Sequence, residues 1–393
     1  MTQQHSYSRN LILFALFVLL TCLPVYGLDT ITFKEVGGGL QRTVVGRIVV
    51  EAGDALILEG RDGQIFVIRK TLLIDRKTDD IEFSPMTMKE LEESIKSEFP
   101  DFSILKSDYY LIAYNTSPVY AKWVKSLLER LRDSLGQFWR TRGVPLKKPQ
   151  FPLVAIVFAS KEQFARYAIS EIGSDNMAAY YNRFTNRIIL ADLTSIESND
   201  DVKNSRNKKL TSAQLENLLN RPAAAFNIAT VIHEATHQVA FNGGMHDRLA
   251  LSSYPLWVIE GIAVMHEVPD RDKKIGWGIT LKPNDYRFEH LIEYWRKRPD
   301  RAFDLIIKSD KMLRNPKTAL DAYALAWGLV YFLVTERKVQ FTTYLQKLAK
   351  KDVTTHDTQE QRMSEFEECF GDDWDKLYQD FTKSMNNIAK KIR

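Results

Sequence analysis

Short runs of β-favouring residues alternate with turn residues over the first part of the chain. In order, these runs are Val44 to Val50, Ala55 to Glu59 and Gln64 to Arg69. Asp62-Gly63 separates the last two, and Asp-Gly between two such runs is a strong hairpin signal. The pattern therefore predicts a small antiparallel sheet or barrel over residues 28–83, and a connector at 84–107 after it.

A second unit begins at about residue 108 and mixes strands with a helix. Tyr109 to Tyr114 and the apolar run Leu153 to Ala159 are predicted strands, and a hairpin is predicted at 178–192 around Phe184-Thr185-Asn186. Between the two strands, apolar residues recur at helical spacing up to Gly143, namely Val124, Leu127, Leu128, Leu131, Leu135 and Phe138. After Thr211 the pattern is almost entirely helical. The fold class we expect is α+β, with a mixed sheet followed by an α-rich part.

The first 27 residues have the order of a signal peptide. They contain no acidic residue and one arginine, Arg9, followed by an apolar run from Leu11 to Cys22 and by Pro24 and the small Gly27. The run is shorter than the roughly 20 residues that a membrane-spanning helix needs. We therefore expect cleavage after Gly27 and a periplasmic or extracellular protein. An uncleaved N-terminal anchor is the alternative, and membrane association is expected only in that case.

Composition narrows the class of protein. The chain has 393 residues, 45% of them hydrophobic, which is enough for more than one packed core. The formal net charge of +4 gives no reason to expect a nucleic-acid partner. Of the two cysteines, Cys22 and Cys369, cleavage would leave only Cys369. We therefore expect neither an internal disulfide nor a cysteine zinc site.

The strongest chemical signal is the sequence His233-Glu234-x-x-His237. Pro222 can begin a helix around it, and Gly243-Gly244 can end that helix. Residues four apart lie on one face of a helix, so the imidazoles of His233 and His237 can bind the same zinc ion. Glu234 is turned by about 100° from His233, so it can reach a water molecule at the metal without binding the metal. The motif predicts two zinc ligands and a general base.

A catalytic zinc needs a third protein ligand, and Glu260 is the candidate. It lies within the otherwise apolar stretch from Leu256 to Val264, which we expect to form a second helix. A buried carboxylate without a cation is costly, so we expect Glu260 to bind the metal. An exposed glutamate on the helix surface is the alternative. Gly261 beside it lacks a side chain, which allows close approach of another helix.

Together the two motifs resemble the paired zinc helices of the gluzincin metallopeptidases, which include the aminopeptidase and peptidase-MA-like groups. The motifs are His233-Glu234-x-x-His237-Gln238 and Trp257-x-x-Glu260-Gly261-x-Ala263-x-x-x-Glu267. The resemblance covers residues 223–267 closely. From Tyr109 to the start of that stretch, and from its end to the C-terminus, only the layout is similar.

The resemblance implies a zincin-like metallopeptidase domain at 108–393. Its parts would be a sheet subdomain at 108–220, the two motif helices at 221–268 and a helical part at 269–393. It also implies Zn²⁺ as the cofactor, with His233, His237 and Glu260 as ligands and Glu234 as the general base.

Four further residues are candidates near this site. Glu267 lies seven positions after Glu260, on nearly the same helix face, and the resemblance implies that it orients a zinc histidine; a surface glutamate is the alternative. Tyr323 lies near where aminopeptidase relatives have the tyrosine that stabilises the tetrahedral intermediate; a core aromatic is the alternative. His246 and His266 are expected at the surface or at helix ends, with an accessory ligand role as the alternative.

The predicted function is hydrolysis of peptide bonds in a peptide or protein substrate. The Gly-x-Met-Glu-Asn pattern, with which the aminopeptidases bind the free amine of the substrate, is not present in the sequence. We therefore expect an endopeptidase, with an extended substrate added at a sheet edge near Arg187 to Asp192. The alternative is a non-catalytic zinc-binding module of the same fold with a binding or structural role in the cell envelope. Glu234 favours the enzyme, because zinc binding alone does not need it.

Overall fold

Alternating apolar and polar residues give the N-terminal region a sheet with one buried face. The structure is a computed structural model that describes residues 27–35, 40–175, 177–196, 211–249, 254–270, 278–279, 282–351 and 356–392. The antiparallel strands of this sheet are β1 (Gly27–Lys34), β2 (Gln41–Ala52), β3 (Ala55–Gly60), β4 (Ile65–Arg69) and β5 (Leu73–Glu82). They pair in the order β4-β3-β2-β1-β5. The small core consists of Ile31, Phe33, Leu56, Leu58 and Ile68, and the predicted all-β region is confirmed.

A mixed sheet follows, as predicted from the second unit. Its strands are β6 (Ser103–Lys106), β7 (Tyr110–Tyr114), β8 (Leu153–Phe158), β9 (Ala179–Asn182) and β10 (Arg187–Ala191). They pair in the order β6-β7-β8-β10-β9, with the three central strands parallel and the two edge strands antiparallel to them. The predicted 178–192 hairpin is confirmed as β9 and β10. It places β9 at one edge of the sheet.

Helices cover both faces of this sheet because its central strands are apolar on both sides. In chain order they are α1 (Met88–Glu98), α2 (Pro118–Arg140) and α3 (Lys161–Ile172). Side chains of α1 and α3 pack on one face, and α2 packs on the other. The predicted helix ending at Gly143 is confirmed, since α2 stops at Arg140 and Gly143 follows with a positive φ of 81°.

The rest of the chain is mainly helical, and the α+β class is confirmed. The helices are α4 (Leu193–Ile196), α5 (Ser212–Leu219), α6 (Pro222–Asn242), α7 (Leu256–Met265), α8 (Asp285–Lys297), α9 (Asp304–Ile307), α10 (Lys311–Arg314), α11 (Ala319–Glu336), α12 (Lys338–Leu348), α13 (Gln359–Phe370) and α14 (Trp374–Ile392). One short strand pair, β11 (Pro269–Asp270) and β12 (Gly278–Ile279), interrupts the helical series. The helix α6 packs against both α2 and the mixed sheet, so it joins the two parts of the fold.

The helix α11 is central to the α-rich part. Every residue from Ala324 to Val334 is buried, and α7, α8, α12 and α14 pack around it. Among the described residues it is the one helix that is long and apolar enough to cross a membrane, but 67% of it is buried inside the fold. A core helix passes the same test of length and composition.

The predicted connector at 84–107 is not separate from the mixed sheet: Leu91 and Ile95 of α1 are buried against that sheet, and β6 pairs with β7. The segment therefore belongs to the layers around the sheet. The predicted signal peptide at 1–27 lies outside the described residues except for Gly27, which begins β1.

Candidate metal centre

The first motif lies inside α6, as the sequence predicts. Pro222 stands in the first turn of the helix, where its missing N–H costs nothing, and Gly243 caps the C-terminus. His233 and His237 are one turn apart on the same face, and each is 8% exposed. The helix thus presents two almost buried imidazoles to α7.

The second motif lies on α7, whose position is fixed by close contact with α11. A Cβ on Gly261 would lie 2.6 Å from Val330 Cγ2 and 2.7 Å from the Ala326 carbonyl oxygen, so only glycine permits this approach. The Leu256 amide at the start of the helix donates to Asp310 Oδ1 at 3.1 Å, in place of a local cap. These contacts orient α7 so that Glu260 faces α6.

The three predicted ligands converge on one point. His233 Nε2 lies 3.0 Å from His237 Nε2 and 3.2 Å from Glu260 Oε2, and His237 Nε2 lies 3.5 Å from the same oxygen. Donors around a tetrahedral zinc at about 2.0–2.1 Å from the metal are about 3.3 Å from each other. The spacing therefore suits a single ion, and this group is one that could hold a metal.

The electrostatics of the cluster favour a cation between these groups. Burial opposes ionisation of Glu260, but the His237 charge and hydrogen bonds with the histidines more than offset it, so the pKa of Glu260 is below its ordinary value. Burial also disfavours a charged His233, yet the hydrogen bonds that its ring nitrogens donate to Glu260 and Glu267 raise its pKa well above the ordinary value. Both shifts have the same cause, which is that the carboxylates and the imidazoles of the cluster complement one another in charge.

Glu267 contacts the cluster through His233, although it does not lie on α7. The helix ends at Met265, and the chain turns so that Glu267 Oε1 lies 2.9 Å from His233 Nδ1. The expectation of a shared helix face is wrong, while the expected contact with a histidine is present. Because Nδ1 is engaged by this carboxylate, Nε2 is the ring nitrogen that faces the cluster.

Two residues at the start of α8 that the sequence reasoning missed, one of them the cap before the helix, fix Glu267 in turn. Asn284 caps α8 by accepting from the Arg287 amide, and its side chain donates to Glu267 Oε2 at 3.1 Å. Arg287 donates through Nη2 to Glu267 Oε1 at 3.2 Å. An asparagine before a helical segment is a recognisable cap signal, but nothing local connects it to a histidine 51 positions earlier.

Glu234 lies beside the cluster without joining it. Its Oε2 accepts the backbone N–H of Tyr181, on the edge strand β9, at 2.8 Å. Burial, opposed by the nearby His233 and His237, raises the pKa of Glu234 above its ordinary value. The edge that runs past this carboxylate is β9, whereas the sequence prediction placed it near Arg187 to Asp192. Those residues include β10, which is an inner strand covered by β9.

Tyr323 comes from α11 and reaches the same point. Its ring centroid lies 6.3 Å from that of His233, and the Arg287 guanidinium lies 5.6 Å from it. Burial, followed by the charges of Glu260 and Glu234, raises the pKa of its hydroxyl, so this phenol stays protonated. Part of the ring packs on the core, but the hydroxyl lies with the acidic groups of the cluster.

His246 and His266 are outside the cluster; of the expected surface or helix-end positions, the surface is wrong for both, while His266 lies at the end of α7 as expected. They are 1% and 2% exposed, and neither has a hydrogen-bond partner for its ring nitrogens among the described residues. His246 packs against the rings of Phe241 and Tyr254, while His266 caps the end of α7. Both act as core aromatic rings.

Comparison with known families adds little to this geometry. Residues 227–354 match a family described as "Protein of unknown function (DUF1570)". The matched region is about a third of the chain and includes His233, Glu234, His237, Glu260 and Tyr323. No curated protein matches the chain at a significant level.

Proposed function

We propose that this protein is an exported zinc-dependent peptidase whose metal is bound by His233, His237 and Glu260. The observation that supports this most directly is the convergence of two imidazoles and one carboxylate within 4.8 Å, with a further carboxylate, Glu234, beside them. The resemblance of both motifs to the gluzincins supports the same activity. Export is part of the proposal because residues 1–27 have the pattern of a signal peptide.

The donor set fits zinc in a catalytic rather than a structural site. Structural zinc sites have four protein ligands, while catalytic ones have three and leave a position open. Two histidines and one glutamate are a common catalytic set, and they converge here without a fourth protein ligand among the described residues. Two histidines and a carboxylate also bind non-haem iron, so the metal has to be identified by elemental analysis.

The residues around the cluster have separate tasks in peptide hydrolysis. A zinc ion bound there would supply Lewis-acid chemistry by polarising the substrate carbonyl. Glu234 takes the proton of the attacking water and delivers it to the leaving amine; its raised pKa suits a group that has to bind and release a proton. The Tyr323 hydroxyl, which stays protonated, donates to the carbonyl oxygen as that oxygen gains negative charge.

A peptide is the proposed substrate because an open strand edge lies next to the base. The Tyr181 amide is directed away from β10 and toward Glu234, so the outer side of β9 faces the cluster. An extended peptide can pair with such an edge and place a backbone carbonyl near the metal ligands. This arrangement suits internal peptide bonds, which is the endopeptidase activity expected from the sequence.

The non-catalytic alternative predicts zinc without hydrolysis, and Glu234→Gln separates the two. We expect this variant to bind zinc and fold as the unchanged protein does, but to lose cleavage of a proteome-derived peptide library. Glu216→Gln, an exposed position on α5, is the matched control and should cleave normally. Zinc is measured by inductively coupled plasma mass spectrometry, and cleavage is measured with and without a chelator. Full cleavage by Glu234→Gln would exclude Glu234 as the base, and zinc without any cleavage by the unchanged protein would support the alternative.

The third ligand is tested by Glu260→Ala. Removing the carboxylate leaves two imidazoles, so we expect zinc content to fall well below one ion per chain after dialysis. The same variant tests the metal assignment without any knowledge of the substrate. Stoichiometric zinc in Glu260→Ala would mean that another residue is the third ligand.

A further inference from the structure

The N-terminal module, residues 27–82, contacts the metal-centre half close to Glu234. The Ile65 amide of β4 donates to the Phe184 carbonyl in the β9–β10 turn at 2.7 Å. Gly63, which has a φ of 82°, lies against Phe151, and an added Cβ would be 2.8 Å from that ring. The module is thus closely packed against the turn that ends the edge strand.

A buried ion pair fixes the module to the loop between the two motif helices. Arg248, in that loop, donates through Nη2 to Glu59 Oε1 at 2.8 Å and through Nη1 to the Gly63 carbonyl at 2.8 Å. Glu59 also accepts from Arg47 Nε at 2.9 Å. Arg248 and Glu59 are 7% and 5% exposed. Burying two charges costs free energy, so such a pair indicates a need for a defined geometry rather than for stability alone.

The module also reaches the strand whose amide binds the base: Phe184, which accepts from Ile65, donates its own amide to Asn182 Oδ1 at the end of β9 at 2.9 Å. Burial raises the pKa of the Tyr181 phenol to about 12, and the nearby Arg248 charge opposes that rise. The Tyr181 hydroxyl donates to Asn186 Oδ1 at 2.9 Å, and its ring stacks on Phe241 of α6. Hydrogen bonds therefore run from Glu59 through Arg248 to Gly63, and from Ile65 through Phe184 to Asn182 at the end of β9, the strand whose Tyr181 amide is bonded to Glu234.

We propose that the N-terminal module is a positioning part of the site: the Glu59–Arg248 pair fixes the turn from Gly63 to Ile65, this turn holds the end of β9 through Phe184, and the Tyr181 amide on β9 fixes Glu234. Arg248 and Glu59 are positioning residues and touch none of the three candidate ligands. The kinetic part of this proposal rests on the proposed peptidase function. The structural part, which is that the module keeps β9 in position, does not rest on that function.

Arg248→Met in the full chain tests whether the module keeps β9 in position. It keeps the length of the side chain but removes the hydrogen bonds to Glu59 and Gly63. We expect hydrogen exchange, followed by mass spectrometry with site resolution, to quicken at the Tyr181 amide by at least tenfold, while zinc content is unchanged. Arg76→Met is the matched control, because Arg76 pairs with Asp29 and Glu51 within the module and lies away from the junction.

Glu59→Gln tests the same coupling from the module side. The substitution leaves the backbone pairing of Glu59 with Ile65 intact, so faster exchange at Tyr181 in this variant would be transmitted through the side-chain bonds of Glu59 to Arg248 and Arg47. It also keeps the proposal testable if Arg248→Met does not fold, and Arg248→Lys, which can restore one of the two hydrogen bonds, should recover part of the protection.

The kinetic measurement uses any peptide that the unchanged protein cleaves. We expect kcat of Arg248→Met to fall on the order of ten- to a hundredfold with KM changed less than twofold, because a misplaced base slows the chemical step without removing substrate contacts. Unchanged exchange at Tyr181 in both Arg248→Met and Glu59→Gln, or an equal change in Arg76→Met, would overturn the positioning role. Absence of all cleavage by the unchanged protein would refute the peptidase proposal and leave the exchange result to decide the hold on β9.

Discussion

His266 offers a quantitative test of how the core at the end of α7 is built. Its ring packs edge-on against Phe138 and Trp139, with centroids 5.0 Å and 5.9 Å away. Neither ring nitrogen has a partner among the described residues. Burial, with a smaller effect from the Arg142 charge, lowers the pKa of His266 from 6.5 to about 3. The folded protein therefore contains His266 as a neutral ring.

The size of the effect follows from proton linkage. The unfolded chain binds a proton at His266 near pH 6.5 and the folded chain only near pH 3, so the unfolded state gains stability as the pH falls between these values. The stability of the folded state is therefore unaffected by this group above pH 6.5 and decreases on acidification. The stability that the folded state loses in this way is about 2 kcal/mol at pH 5 and about 4 kcal/mol when the pH reaches 3.

The perturbation is His266→Phe, and the assay is urea unfolding at pH 7.5 and pH 5 with a chelator present. At pH 7.5 we expect the free energies of unfolding to agree within about 1 kcal/mol, because an aromatic ring of similar shape replaces one that makes no hydrogen bond. At pH 5 the variant should be more stable than the unchanged protein by about 2 kcal/mol relative to that baseline.

The comparison is internally controlled, because every other titrating group is present in both proteins and cancels in the difference. A difference between the two proteins that is the same at both pH values would refute the reasoning. It would mean that His266 takes up its proton in the folded state or that it finds a hydrogen-bond partner there.

Three further predictions concern the site and its supports. Gly261→Ala should lower the free energy of unfolding by about 1–3 kcal/mol in urea titrations, because the new Cβ would overlap Val330 on α11; an unchanged midpoint would contradict the close approach. Tyr323→Phe should reduce kcat by about a hundredfold or more at constant KM and zinc content in peptide hydrolysis, and an unchanged kcat would assign Tyr323 to the core alone. Asn284→Ala should destabilise the fold by about 1 kcal/mol through the lost cap and weaken zinc binding about tenfold in competition with a chromophoric chelator, since Glu267 loses a donor; unchanged zinc affinity would show that Glu267 needs no such support.

Local periodicity predicts those elements that bury one face. The apolar positions of α2 and the continuous apolar run of β8 are visible in the sequence because each of these segments packs directly on a core. The end signals of α6, Pro222 and Gly243, are equally local. In such segments the chemistry of neighbouring residues is enough to define the element.

Two strands escape prediction because their pairing is set by tertiary structure. From Leu73 to Glu82, β5 is mostly charged and exposed, and it is a strand because β1 offers it backbone partners. The four residues of β6 have no clear alternation, and they pair with β7 after α1 has turned the chain back to the sheet. Neither partner can be inferred from the local residues.

The residues of the candidate site also fall into two groups, those that the local sequence predicts and those that depend on tertiary packing. The spacing of His233 and His237 is a property of one helix, and the burial cost of Glu260 indicates its role without any structure. The contacts of Glu267 with Asn284 and Arg287 depend on how α8 packs on α11, and no local pattern records that packing. Sequence reasoning therefore finds the three candidate ligands and Glu267, and misses Asn284 and Arg287, which hold Glu267 in place.

The central position of α11 makes the site depend on the far end of the chain. Phe381 of α14 packs on Phe332 of α11 with ring centroids 5.6 Å apart, and a Cβ on Gly328 would lie 3.3 Å from the same ring. Tyr323 and the α7 contact at Gly261 are both set by the axis of this helix. A truncation that removes the last nineteen residues or so would expose one side of α11 and disturb the positions of Tyr323 and of the candidate ligands, while leaving every strand of the two five-stranded sheets covalently intact.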